Sequence, residues 1–208
     1  MSKCYFCEEG KDFSISKKRL GDSWPYKNDV VFHDDKVFAV VGVAPQVVPY
    51  VLILPYRHIY SLSEMTIAEK NSLHKCLDYL LDRAGYGNEL CIFEHGGKSE
   101  SGSSSIDHCH IHVIDGKYGL FQHEEFARFS SYTNYIPAIT GPYLMVGKYT
   151  RNHIVLKISG NQQIHEHQFF RKKLAEIIGE KRWDWHEDER IDHMIKVMKG
   201  FKKKGKNQ

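Results

Sequence analysis

Three histidines alternate with apolar residues in one short segment of the chain, at His108, His110 and His112. Successive side chains of a strand point to opposite faces, so a strand over residues 106–114 would place all three imidazoles on one face. Neighbouring histidines would then lie roughly 6 to 7 Å apart, close enough to address different atoms of one phosphate. Neutral imidazole is also a nucleophile near pH 7. The alternative is a surface strand whose exposed face simply carries polar residues.

A second group of residues with possible chemistry lies at the start of the chain, where Cys4 and Cys7 have the spacing of half a zinc site. His58 and His108 are the candidates for the other two ligands, because one follows the predicted central strand and the other begins the strand expected beside it. A closed site of four protein ligands would be structural, since it leaves no position for water. The alternatives are a redox pair, which lacks its usual βαβ context here, and two reduced, exposed thiols.

Hydrophobic alternation and turn signals predict the elements that position these groups. The apolar strand among them suits the middle of a sheet covered on both faces, and Thr66 with Glu69 predicts a capping box at the start of a helix. In chain order, we predict a hairpin over residues 30–41, the apolar strand over 50–54, a helix from Thr66 to about Ala84, a strand over 90–93, the histidine strand, strands over 143–148 and 154–158, a helix ending at Gly179, and a final helix over roughly 187–198.

Together these elements predict an α+β fold with an antiparallel sheet of about five strands, helices packed on it, and a smaller C-terminal α/β extension. We place the catalytic core at residues 1–116 and the extension, with two strands, helices and a basic tail, at residues 117–208. The tail lysines are expected to form a solvated, frayed terminus, with contact to a polyanion as the alternative. These lysines are Lys202, Lys203, Lys204 and Lys206.

Composition narrows the classes of function. The chain has 208 residues, 41% of them hydrophobic, and none of its apolar runs is long enough to span a bilayer. Its start lacks a secretory signal, and five cysteines are an odd, sparse set that favours a reducing compartment. We therefore expect a cytoplasmic protein without a membrane partner. A net charge of +3 argues against nucleic acid as a partner.

The histidine segment, residues 108–114, resembles the signature of the histidine-triad (HIT) superfamily and fills every position of it. Residues 30–36, 44–46 and 52–59 resemble the hairpin and the strand-to-helix junction of the same family, so the resemblance covers roughly residues 4–116. It implies a HIT-like fold, a nucleotide as the small-molecule substrate and a homodimer. Some branches of the family carry structural zinc on a Cys/Cys/His/His set, and all four positions match here.

The resemblance also implies roles for the residues of the triad and of the loop before it. His110 would attack a nucleotide α-phosphate and form a covalent nucleotidyl-histidine. His112 would hydrogen-bond the phosphate or the leaving-group oxygen, and Ser105 would contact the bridging oxygen. Either of these two would protonate the leaving group, while backbone N–H groups of Ser103 and Ser104 add donors toward the phosphate.

The expected activity is therefore that of a hydrolase or nucleotidyltransferase acting on a phosphoanhydride or phosphoramidate bond, in a dinucleoside polyphosphate or a nucleoside phosphoramidate-like substrate. The alternatives are a nucleotide sensor without turnover and a deadenylase-type enzyme that processes nucleic-acid ends. A trappable intermediate on histidine would distinguish the first hypothesis from the sensor. Strongly salt-dependent binding to DNA or RNA would favour the third.

Several positions depart from the family pattern. Gly42 stands where related enzymes hold the ribose with an acidic residue, Tyr50 replaces a histidine, and Glu94 replaces an asparagine. We include Glu94 among the substrate-binding candidates, although it could simply end its strand. Gln168 and Arg171 are the last such candidates: they form either a polar pair that reaches phosphate or an ordinary solvated helix face.

Overall fold

The computed structural model describes residues 4–83, 86–98, 108–160 and 166–204. Its helices are α1 (Tyr5–Asp12), α2 (Ile15–Leu20), α3 (Ile67–Leu81), α4 (Phe169–Ile178) and α5 (Ile191–Lys204). Its strands are β1 (Val30–His33), β2 (Val37–Val41), β3 (Tyr50–Pro55), β4 (Leu90–Gly96), β5 (Ile111–Asp115), β6 (Ser130–Thr133), β7 (Tyr143–Thr150) and β8 (His153–Ser159). The predicted α+β class is confirmed.

One antiparallel sheet contains all eight of these strands, in the order β1-β2-β3-β5-β4-β7-β8-β6. The sheet is larger than the predicted five strands because β7 pairs with β4 along the whole length of β4. Strand β8 then pairs with β7, and β6 pairs with β8 at the edge. The strands that we assigned to the C-terminal extension thus continue the sheet of the core. The division of the chain at residue 116 stays a prediction.

Helices cover both faces of the sheet. On the first face, α3 and α5 pack against one cluster of buried apolar residues, and on the second face α1 and α4 pack against another. Strand β3 contributes to both clusters: Val51 and Ile53 face the first, whereas Leu52 and Leu54 face the second. All six of its residues are buried, which confirms the predicted central strand.

The start of α3 is fixed by the predicted capping box. The Thr66 hydroxyl accepts a hydrogen bond from the Glu69 backbone N–H, and the Glu69 carboxylate accepts one from the Thr66 N–H. The same carboxylate pairs with Arg57 at 2.8 Å, just after β3, and this guanidinium lowers the pKa of Glu69 to about 2. The helix is therefore tied to the end of the central strand. It ends at Leu81, and Ala84 lies outside the described residues.

The final helix, α5, is displaced from its predicted bounds. Arg190 has a φ of +46°, which interrupts helical geometry directly before the first residue of the helix. The helix then continues past its predicted end, because Phe201 is buried and stacks on Tyr79. Lys202 lies with its ammonium 4.0 Å from the centre of the Tyr26 ring, so this lysine contacts the folded body. No helix within the described ranges has the length and apolarity needed to cross a membrane.

The histidine segment is only partly a strand. β5 begins at Ile111, so the predicted strand is wrong at its start: His108 and His110 lie in an extended segment before it, and residues 106–107 are outside the described part. The Cys109 N–H donates to the Ile59 carbonyl at 2.7 Å, which keeps this segment against the sheet. The predicted alternation still holds, because Cys109 and Ile111 pack into the first-face cluster, away from the histidines.

Candidate active site and metal centre

A cavity of about 350 Å³ opens on the second face of the sheet, beside the histidine segment. Three histidines line it, His95 from β4 together with His110 and His112. Two arginines, Arg19 and Arg171, also line it, and the rest of its wall is mostly aromatic. Among the described residues that line the cavity there is no carboxylate. The hollow therefore favours an anionic ligand with an aromatic or apolar part.

His110 lies half-buried in the wall of this cavity, with one ring nitrogen already engaged. Its Nδ1 is 2.6 Å from the backbone carbonyl oxygen of His108. Because a carbonyl can only accept a hydrogen bond, Nδ1 carries a proton, and Nε2 of the neutral ring keeps its lone pair. Burial lowers the pKa of His110 and favours that neutral ring. The ring lies between Phe6 and His112, with both ring centres 5.1 Å away.

His112 is held by two aromatic neighbours. Its ring stacks on Phe93 with 4.7 Å between ring centres and 1° between planes, and its Nδ1 lies 2.8 Å from the hydroxyl of Tyr50. Burial lowers the pKa of His112 well below its ordinary value, and the nearby His110 and Arg171 act in the same direction. The ring is therefore neutral and fixed in orientation.

Gln168, directly before α4, and Arg171, on α4, both line the cavity, and their polar groups form hydrogen bonds within the protein. Arg171 is only 8% exposed, so it does not belong to a solvated helix face. Its Nε donates to the Trp183 carbonyl at 2.8 Å and its Nη2 to the Ala44 carbonyl at 2.7 Å. The Gln168 amide donates to Asp184 at 2.9 Å. Both residues line the hollow through the helix that closes its side.

Glu94 does not lie at the cavity. Alternation along β4 sends this residue to the first face, where it is fully buried, and sends His95 to the second face. The Tyr143 hydroxyl donates a short hydrogen bond to the Glu94 carboxyl, and the Cys109 thiol also contacts it. Burial raises the pKa of Glu94 to about 7. Its placement opposite the cavity corrects the assignment of Glu94 to substrate binding.

The three serine candidates of the phosphate loop, Ser103, Ser104 and Ser105, lie outside the described residues. His95, beside Glu94 in the chain, lines the cavity in the described part of the site. Burial lowers the pKa of His95 to about 4, with smaller contributions from His110 and His167. His95 is thus a third neutral imidazole at the wall.

The four residues predicted to bind zinc come together near the cavity. Their ligand atoms all lie within 4.8 Å of one another. Cys4 Sγ is 3.5 Å from His108 Nδ1, and Cys7 Sγ is 3.3 Å from His58 Nδ1 and 3.6 Å from His108 Nδ1. Zinc bonds of about 2.3 Å to sulfur and 2.0 Å to nitrogen in a tetrahedron require sulfur–nitrogen distances of about 3.5 Å. The four side chains therefore fit a tetrahedral zinc ion.

Further contacts orient this cluster for a metal. The Nε2 of His108 lies 3.0 Å from the Pro55 carbonyl, which fixes the proton on Nε2 and turns Nδ1 toward the cysteines. Burial, followed by the neighbouring Cys4 thiol, raises the pKa of Cys7 to about 11. Binding a zinc ion would displace that proton, because thiolate is the form that ligates metal.

The cavity residues that sequence analysis missed include Tyr5, Phe6, Arg19 and Trp185. One signal was available for Phe6, since it lies between two cysteines expected to meet His108 and must therefore approach the triad. Trp185 borders the hollow, where the Arg19 guanidinium lies 5.3 Å from its ring centre. No sequence signal pairs these last two residues, because α2 and the segment before α5 meet only in the folded chain.

Comparisons with known proteins find similarity to one family over part of the chain. A family model described as the HIT domain matches residues 26–119. Similar solved structures include a HIT family hydrolase from Clostridium thermocellum, 20% identical with a TM-score of 0.37, over 56% of this chain and 92% of that one. A HIT family member from Bacillus subtilis is 20% identical with a TM-score of 0.37, over 55% and 73%. A hypothetical histidine triad nucleotide-binding protein from Sulfolobus tokodaii is 20% identical with a TM-score of 0.36, over 54% and 68%.

Proposed function

Since a family model described as the HIT domain matches residues 26–119, we propose that this chain is a nucleotide hydrolase or nucleotidyltransferase whose nucleophile is His110. Its substrate is a dinucleoside polyphosphate or a nucleoside phosphoramidate-like compound, attacked at the α-phosphate. The observation that carries the proposal is the 2.6 Å contact between His110 Nδ1 and the His108 carbonyl. It leaves the Nε2 lone pair of His110 free at a cavity wall.

The proposed reaction has two displacements at phosphorus. In the first, Nε2 of His110 forms a bond to the α-phosphorus while the bond to the leaving group breaks in line. The positive charge that develops on the imidazole is stabilised by the Nδ1–H bond to the His108 carbonyl. In the second, water or another acceptor attacks the same phosphorus, the phosphorus–nitrogen bond breaks, and His110 returns to its neutral form.

The charges of the cavity support an anionic substrate. Arg171 is buried and forms no ion pair with any described residue, so its charge is not neutralised by a neighbouring carboxylate contact. Arg19 also lies at the wall, where Glu189 already pairs with its guanidinium at 2.7 Å. A phosphate chain would compensate the charge of Arg171, which raises its affinity and guides its approach. The aromatic wall around Trp185 offers a flat surface for a nucleobase.

Zinc, when bound by Cys4, Cys7, His58 and His108, would supply structural cross-linking without an open coordination position. It would anchor α1 to the segment that precedes His110, so that Phe6 stays against the nucleophile. We further propose a cytoplasmic location, a homodimer, and a catalytic core at residues 1–116 followed by an extension at 117–208. Sedimentation analysis of the full chain tests the dimer.

The nucleophile is tested by intact-mass analysis after mixing the protein with a panel of dinucleoside polyphosphates and nucleoside phosphoramidates. We expect an adduct of one nucleotidyl group, located on His110, and its loss together with turnover in the His110→Ala variant. His74→Ala is the matched control, because His74 lies on α3 beside Tyr149 and away from the cavity. Full turnover by His110→Ala would refute the proposal, and tight nucleotide binding without product would instead favour the sensor.

A further inference from the structure

Tyr50 connects two residues of the cavity that lie 59 positions apart in sequence. Its hydroxyl is 2.8 Å from Nδ1 of His112 on one side, and the Arg171 guanidinium acts on it electrostatically from the other. Tyr50 is 1% exposed and Arg171 is 8% exposed, so water does not compete effectively for either interaction. The three side chains form one buried polar cluster at the candidate site.

The direction of the Tyr50–His112 hydrogen bond follows from the charge beside it. The positive Arg171 guanidinium, which carries donors only, attracts the lone pairs of the Tyr50 oxygen. The phenol proton then has Nδ1 of His112 as its acceptor among the described contacts of that hydroxyl. A neutral imidazole that accepts at Nδ1 carries its own proton on Nε2. His112 is thereby fixed as the tautomer whose Nε2–H can donate to a bound ligand.

The groups around His112 oppose a second proton on its ring. His110, His95 and Arg171 act on it electrostatically in the same direction as its burial, and its remaining neighbours, Phe93 and Tyr50, carry no charge. Arg171 moreover has its Nε and Nη2 held by carbonyl oxygens, which keeps the guanidinium in place. A cation at His112 would lie next to a fixed cation.

From this arrangement, and on the basis of the proposed function, we propose that Arg171 and Tyr50 are positioning residues that hold His112 as a neutral Nε2–H donor. The enzyme therefore prefers substrates whose leaving group departs as an anion. A phosphoanhydride releases a nucleotide or phosphate chain, and that oxygen needs a hydrogen bond and a nearby positive charge but no proton. An amine leaving group of a phosphoramidate must take a proton as its bond to phosphorus breaks, and neither neutral His112 nor the hydroxyl of Ser105 can supply one without becoming an anion.

The state of His112 is tested directly by nitrogen-15 NMR of the imidazoles. We expect Nε2 of His112 to be protonated and Nδ1 to be unprotonated throughout pH 5.5 to 8. In Tyr50→Phe, which keeps the ring but lacks the hydroxyl, the two tautomers should become mixed. A wild-type imidazolium at pH 7, or a proton on Nδ1, would overturn the proposal whether or not any substrate is turned over.

Substrate preference is tested by comparing kcat/KM for a dinucleoside polyphosphate with that for the phosphoramidate of the same nucleoside. We expect the wild type to prefer the anhydride by roughly tenfold or more, and Tyr50→Phe to reduce that ratio by about tenfold. Tyr118→Phe is the matched control, since its hydroxyl donates to the Val48 carbonyl outside the cavity lining and its loss should leave the ratio unchanged.

The outcomes separate the two proposals. Preference for the phosphoramidate, or an unchanged ratio in Tyr50→Phe, would overturn the assignment of Tyr50 and Arg171 while leaving His110 as the nucleophile. Absence of turnover on both compounds would instead refute the proposed function and the preference that rests on it. The NMR result then still decides the protonation state of His112.

Discussion

The ring of Tyr50 fits at the start of β3 because residue 42, opposite it, is a glycine. A Cβ at position 42 would lie 2.6 Å from Cδ1 and 2.8 Å from Cε1 of Tyr50, well inside contact distance. A side chain at position 42 and the tyrosine at position 50 therefore exclude each other sterically. The identities of these two residues are coupled.

We expect Gly42→Ala to displace the Tyr50 ring and so disturb His112. Overpacking of this kind costs about 1 to 3 kcal/mol of stability, and kcat should fall because the donor to His112 moves. Urea unfolding and turnover of a dinucleoside polyphosphate measure the two effects. Gly160→Ala is the control, since a Cβ there meets nothing within 4 Å. Equal effects of the two substitutions would contradict the steric explanation.

Glu94 gives the stability of the protein a distinct pH dependence. In the unfolded chain its carboxyl ionises near pH 4.5, whereas burial keeps it protonated up to about pH 7 in the folded protein. The folded state therefore binds the extra proton, and its stability falls as pH rises through that window. Relative to Glu94→Gln, the wild type should lose roughly 3 kcal/mol between pH 4.5 and 7. Denaturant unfolding of both proteins at pH 5 and pH 8 measures this, and parallel pH profiles would contradict it.

At the scale of single residues, sequence reasoning reached the groups that have a local pattern. Alternation placed His110 and His112 on one face, and the Cys-x-x-Cys spacing located half of the metal cluster. It did not predict that Arg171, Tyr50 and His112 lie together. The position of Arg171 depends on a hydrogen bond to the Ala44 carbonyl, 127 residues away in the chain. No local periodicity indicates a contact between residues so far apart.

Among the elements, α1 is short and lies at the proposed metal cluster. It has eight residues, too few for a stable isolated helix, and its buried Phe6 lies between the rings of His108 and His110. The cysteines on either side of Phe6 face His58 and His108. A metal at that point would hold the helix against the nucleophile.

Removing zinc should therefore loosen α1. We expect the protein purified with zinc to contain one ion per chain, and a strong chelator to lower its stability by about 3 kcal/mol or more, roughly 10 °C in Tm. Elemental analysis and thermal unfolding check both numbers. The Cys7→Ala variant is the control, because the chelator should cause no further loss in it. A Tm unaffected by chelation in the wild type would count against the metal.

The elements with strong local signals were predicted well, and the others were not. The hairpin β1–β2, the buried β3 and the capped α3 each follow from a pattern within a few residues. Strand β6 has a polar, largely exposed sequence that carries no strand pattern, and it forms because β8 offers an edge to pair with. The start of α5 depends on the positive φ of Arg190, which the residue types in this segment do not indicate.

On the scale of the whole molecule, the cavity is closed by segments from opposite ends of the chain. Arg19 of α2 lies over the Trp185 ring and also pairs with Glu189 at 2.7 Å. Gln168 and Asp184 hold the same C-terminal segment together. The wall that faces the triad is thus assembled from three distant parts of the sequence.

Trp185 should contribute to substrate binding through this wall. Stacking of a base on an aromatic side chain contributes about 1 to 3 kcal/mol, so Trp185→Ala should raise KM about tenfold or more with little change in kcat. Steady-state kinetics on the preferred substrate measure the two constants. Trp183→Ala is the control, because Trp183 holds Arg171 through its backbone carbonyl and its side chain does not line the cavity. A selective fall in kcat for Trp185→Ala would contradict a binding role.

The participation of Trp185 in the cavity also has a consequence for biosynthesis. A ribosome that has translated the chain only through β5 has already made the nucleophile and the proposed zinc ligands, yet α4 and Trp185 are still missing. The second face of the sheet then lacks the cover of α4, and Phe93 lacks its contact with Phe170. Premature termination between β5 and α4 would accordingly yield a polypeptide that retains the triad but presents an exposed apolar surface to chaperones and proteases.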